Sequence, residues 1–117
     1  MHIVNERTGR VLAEKFVIAR TLISKSIGLM FSSQLPAKSA LVIPGCRQVH
    51  TLFVRFPIDV IFISTDCCVV GIVEYLRPFR VSPYCREAAT VIELPAGTVS
   101  RTGVMIGDIL PLAIDQT

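Results

Sequence analysis

Several things that would narrow the chain's class are scarce or missing. Only 18% of its 117 residues are charged and 51% are hydrophobic, which excludes a disordered chain. Apolar runs stay short: Cys67 to Val73 is far below the roughly 18 residues a membrane span needs. No cationic and apolar leader opens the chain, because Met1-His2-Ile3-Val4-Asn5-Glu6-Arg7 turns polar at once, so a soluble, cytoplasmic protein is expected. Paired C-x-x-C spacing is absent. Cys46, Cys67, Cys68 and Cys85 therefore read as small buried hydrophobes, not as a zinc site or a disulfide framework. No Lys/Arg-dense run and no aromatic interleaving accompany the net charge of +3, so nucleic acid is not the expected partner. No cofactor or metal is expected, and no internal repeat breaks the chain.

What is present is one domain's worth of strands over residues 1–117. His2 to Asn5 and Val11 to Ala19 flank Glu6-Arg7-Thr8-Gly9, a turn closed by glycine. One short helix is expected after Thr21, on the spacing of Ile23, Ile27 and Met30. Short strands follow at Ala40 to Ile43, Gln48 to Val54, Ile58 to Ile63, Val69 to Leu76, Thr90 to Leu94 and Ile109 to Ile114. Ser64-Thr65-Asp66 turns between two strands apolar on both faces, which places both centrally. Pro95-Ala96-Gly97 reads as a break, and Gly107-Asp108 as a tight turn with a side-chain hydrogen bond. Short strands with regular breaks and one small helix predict a mainly β sandwich or partly open barrel.

The stretch from Cys46 to Ile63 sets polar groups inside this apolar pattern, where each must be paired or used. Asp59, between Ile58 and Val60, needs hydrogen bonds or a cation; ties to backbone N–H groups or an arginine are the structural reading, a ligand carboxylate the functional one. His50 and Cys46 are a structural pair, a ligand contact, or a nucleophile with its base. Arg47, Arg55 and Arg80 suit either an anion pocket or internal ion pairs with Asp59, Glu74 or Glu93. Arg80, in a loop between Phe79 and Val81 after Pro78, is the arginine best placed for a ligand.

Gly28-Leu29-Met30-Phe31, Phe56-Pro57-Ile58-Asp59-Val60-Ile61-Phe62-Ile63, Glu93-Leu94-Pro95-Ala96-Gly97 and Gly107-Asp108 occur in this order. On these motifs the chain resembles the prokaryotic domain of unknown function 192 family, from about Ala19 to Leu112. Cys46, His50, Thr51, Arg55, Phe56, Pro57, Ile58 and Asp59 resemble a variant reading C-x-x-x-H-T-x-x-M-R-F-P-I-D, and Pro78-Phe79-Arg80 resembles its P-W-R. Val54 and Phe79 depart from that pattern, both by apolar exchange. The resemblance implies a small antiparallel β-sandwich of jelly-roll type and no assigned activity.

The functional expectation is a binding module for a small anionic or polar ligand, or for a segment of a partner protein. Its pocket would be lined by His50, Thr51, Arg55 and Arg80, with Asp59 and Cys46 as further candidates. The alternatives are a hydrolase or metal-assisted enzyme centred on Cys46 and His50, and an assembly protein using a sheet edge.

Overall fold

The computed structural model describes residues 2–19, 37–51 and 55–112. Strand β1 (Ile3–Val4) and strand β2 (Val11–Ala13) form a two-stranded antiparallel hairpin. Its turn is held by the Gly9 N–H donating to the Asn5 carbonyl at 2.7 Å, with Gly9 at φ 72°, a conformation only glycine adopts freely. Strands β3 (Lys15–Ile18), β4 (Ser39–Pro44), β5 (Ile58–Ile63), β6 (Val69–Leu76) and β7 (Thr90–Pro95) build a five-stranded sheet in the order β3-β4-β7-β5-β6. All its pairs are antiparallel except β3 with β4. One short helix among the described residues, α1 (Thr98–Thr102), follows β7. The protein is thus mainly β, with two sheets, and no closed barrel forms among the described residues.

Register explains why three strands are apolar throughout. Across the sheet, Val42, Ile92, Ile61 and Ile72 form one row, and Leu41, Glu93, Val60 and Val73 the next, pointing to the opposite face. The first face packs against Ile3, Leu12 and Ala13 of the hairpin, Val99 of α1, Val104 and Leu110. The second is covered by Val49, Phe56 and Ala88 from the connecting segments. Both faces of β4, β5 and β7 are therefore closed to water, and these strands need no polar alternation. Close packing reaches its limit at Gly71, where a Cβ would stand 3.1 Å from Phe62 Cδ2 and 3.3 Å from Cys85 Sγ.

Four sequence expectations change. β6 is an edge strand, not a central one, and its middle residues are half-buried or exposed. Residues 48–51 form no regular strand; His50 makes an isolated bridge to Val81. Of the strand expected at Ile109 to Ile114, residues 109–112 give only an isolated bridge from Ile109 to Cys68, and residues 113–114 lie outside the described residues. The break at Pro95-Ala96-Gly97 leads straight into α1, which β-branched Thr98, Val99 and Thr102 do not announce. The expected helix after Thr21, the Gly28–Phe31 motif and residues 52–54 lie outside the described residues.

Asp108 fastens the hairpin to the C-terminal loop. Its Oδ2 accepts from Asn5 Nδ2 at 2.7 Å and Met105 N at 2.8 Å, and its Oδ1 from Arg7 Nε at 2.6 Å. The Arg7 guanidinium and these donors hold the carboxyl at about 2, below its usual 3.8. A lowered carboxyl pKa contributes stability above the unfolded-state value, lost as pH falls through the folded-state one. Asp108→Ala should therefore cost roughly 2–4 kcal/mol at pH 7, and the gap to wild type should close as urea melts are taken from pH 5 to pH 2. A gap independent of pH would contradict this assignment.

Candidate functional site

The end of β6 and the segment after it carry unusual backbone. Tyr75 (φ 54°) and Phe79 (φ 62°) both adopt the left-handed conformation. That conformation costs a non-glycine residue roughly 1–2 kcal/mol, so something must hold each in place. Two buried side chains do so. The Asp59 Oδ1 accepts the Tyr75 N–H at 2.9 Å. Thr51 secures the other end: its hydroxyl donates toward the Arg77 carbonyl at 2.6 Å and accepts the Arg80 N–H at 2.9 Å. Its own N–H donates to the Arg80 carbonyl at 2.8 Å, and its carbonyl accepts the Phe79 N–H at 2.9 Å. The Ser82 N–H reaches the Val49 carbonyl at 2.8 Å, completing a short irregular ladder.

The pinned turn is exposed. Phe79 is 69% accessible, Val81 58% and Tyr75 57%, with Arg77 and Arg80 also in solvent. Because 50 and 81 are a directly opposed pair flanked by the two backbone bonds, His50 and Val81 stand on the same side of the ladder. Exposed aromatic and arginine side chains thus line a segment whose backbone is tied down, with His50 opposite Val81.

The predicted candidates differ in burial. Thr51 and Asp59 are fully buried, and their oxygens are taken up by the fold. Besides Tyr75, Asp59 accepts the Gly97 N–H at 3.1 Å and the Val99 N–H at 2.8 Å, capping α1 from a distant strand. His50, Arg55 and Arg80 are exposed. Cys46 is half-buried, packs against the second core face and gives its thiol proton to the Gln48 carbonyl, 3.0 Å from its Sγ. Among the described residues no three His, Cys, Asp or Glu side chains gather as a metal site would require.

The expected ion pairs of Arg47, Arg55 or Arg80 with Asp59, Glu74 or Glu93 are not formed. Among the described residues the ion pairs are Arg7 with Asp108 and Lys38 with Glu14. Arg47 Nε instead donates to the Ala88 carbonyl at 3.1 Å. For Asp59 and Glu93 the reason is burial: the arginines lie in solvent, whereas these two carboxyls lie inside the sheet, where backbone amides reach Asp59 and nothing reaches Glu93 Oε2. Glu93 stands between Leu41 and Val60 in its row, and burial raises its pKa from 4.5 to about 8.

Comparison with known proteins gives the same fold without an activity. The family profile of DUF192, described as Uncharacterized ACR, matches residues 3–112. A UPF0127 protein of Pyrococcus furiosus is 30% identical over 112 residues, spanning 90% of this chain and 92% of that one. The crystal structure of a protein of unknown function from Novosphingobium aromaticivorans superposes with a TM-score of 0.79 at 23% identity, over 95% of this chain and 82% of the other. A proposed transcription regulator from Sinorhizobium meliloti gives the same score at 27% identity, over 94% and 89%.

Two outcomes follow from these buried carboxyls. Asp59→Ala strands three amide donors and should destabilise the fold by roughly 3–5 kcal/mol in denaturant melts; a cost under about 1 kcal/mol would refute its pinning role. For Glu93 the sign is opposite to Asp108. A raised carboxyl pKa gives stability that is complete below 4.5 and lost as pH rises through about 8. Glu93→Gln should match wild type near pH 4 and exceed it by roughly 3–5 kcal/mol at pH 9. Parallel pH profiles for the two proteins would show Glu93 to have a partner.

Proposed function

The chain belongs to the DUF192 family, and on that premise we propose that it is a binding module whose Tyr75–Val81 turn, with His50, docks an acidic, extended segment of a partner protein. The observation that carries this reading is the pinning itself. A fold that commits two buried side chains to holding exposed Tyr75 and Phe79 in strained geometry, with Arg80 tied beside them, has the surface organised before any partner arrives. Preorganisation lowers the ordering cost of association, and aromatic and arginine side chains are the types that dominate binding energy at interfaces.

Charge selects the partner's chemistry. Arg47, Arg55, Arg77, Arg80 and Arg86 fall in one window of sequence with only Asp59, Asp66 and Glu74, and Asp59 is consumed inside the fold. An acidic segment would gain electrostatic attraction there, with a measurable dependence on salt. Thr51 acts as a positioning residue for Arg80 in this reading; it does not touch the partner. His50, opposite Val81, is exposed beside the turn.

The test is a fluorescence-polarisation screen of acidic decapeptides bearing one aromatic residue, at low and high salt. Binding should weaken by about tenfold in Arg80→Gln and in Thr51→Val, and be unchanged in Lys15→Gln, an exposed cation on β3. Thr51→Ser, which keeps the hydroxyl, should restore most of the affinity. Peptide binding that ignores both Arg80 and Thr51 would remove the turn from the site.

A further inference from the structure

A cleft of about 170 Å³ lies between β2, the turn before β4 and α1, lined by Val11, Leu12, Ala13, Glu14, Lys38 and Arg101. It shares no residue with the pinned turn, and the docking reading does not use it. Its lining carries two cations and one anion. We infer that this cleft is a binding site for a small oxyanion, a phosphate or carboxylate group held between Lys38 and Arg101.

The two cations are mounted on fixed backbone. Lys38 adopts the left-handed conformation, φ 59°, and its carbonyl accepts the Glu14 N–H at 2.7 Å, so the turn that presents it is tied to the end of the hairpin. Arg101 sits in α1, whose first turn is capped by Asp59, and the Arg101 carbonyl accepts Arg10 Nη1 at 3.1 Å. Neither carrier must be ordered when an anion arrives, which removes an entropic cost of association.

The charge now facing Lys38 is easily displaced. Its ammonium stands 3.4 Å from Glu14 Oε1, with side chains 64% and 54% exposed. A pair so open to solvent contributes little. An oxyanion bridging Lys38 and Arg101 would make charge-assisted bonds to two cations in place of one weak pair. A cleft of this volume has room for a phosphate or a small carboxylic acid.

The experiment is a titration of the isotope-labelled full chain with sodium phosphate at pH 7 and constant ionic strength, reading the amide resonances of Glu14, Lys38 and Arg101. A saturable curve at those positions is expected, weakened about tenfold by Lys38→Gln or Arg101→Gln, with dispersed spectra confirming that each variant is folded. Glu14→Gln should tighten binding about threefold by removing the competing carboxylate, whereas Glu6→Gln, with the same change in net charge, should not. Malonate in place of phosphate reports whether carboxylates are also taken; saturable binding of either oxyanion supports the site. Shifts that stay linear in both anions, or an equal effect of Glu14→Gln and Glu6→Gln, would overturn it.

Discussion

Three backbone amides converge on the carboxylate of Asp59, and much of the molecule's arrangement follows from that. One oxygen holds Tyr75 as β6 ends; the other holds Gly97 and Val99 as α1 begins. A charge inside a sheet would ordinarily be too costly to keep. Here it replaces water for donors that the edge of β6 and the start of a helix leave unpaired. Thr51 repeats the device at the other end of the same segment with a neutral hydroxyl. Between them they define where the exposed turn sits and how little it can move.

Polarity inside the sheet has two outcomes in this protein. Asp59 is fully satisfied and structural, while Glu93, one strand away, leaves an oxygen without a partner and responds by retaining its proton toward pH 8. What differs is the supply of amide donors. Asp59 lies beside strand ends, where amides are free, whereas Glu93 sits mid-row between Leu41 and Val60, where every amide nearby belongs to the ladder.

Much of the fold was legible because strand length and apolar content are local properties. Ala40 to Ile43, Ile58 to Ile63, Val69 to Leu76 and Thr90 to Leu94 emerge within a residue or two of their true ends. Order within the sheet was not legible: β6 reads as apolar as β5, but which of them lies at the edge is decided by long-range pairing. The helix α1 was hidden for the same reason. Its cap comes from Asp59, forty residues earlier in sequence. At the site, the anomaly of Thr51 and Asp59 among apolar residues could be seen, as could the loop setting of Arg80. That Thr51 and Asp59 act on one segment, and that Lys38 and Arg101 share a cleft, depends on juxtapositions no spacing encodes.

The two solved structures share this fold over 82% and 89% of their length, so the division between pinned backbone and presented surface is the feature to examine across them. Its most direct measure is amide hydrogen exchange of the unmodified protein, residue by residue. If the buried side chains hold the turn, the amides of Tyr75, Phe79 and Arg80 will be protected to a degree approaching those of β7, despite their solvent-facing side chains. Exchange at those three amides as fast as in an open loop would contradict the account, since the surface would then have no fixed form to offer.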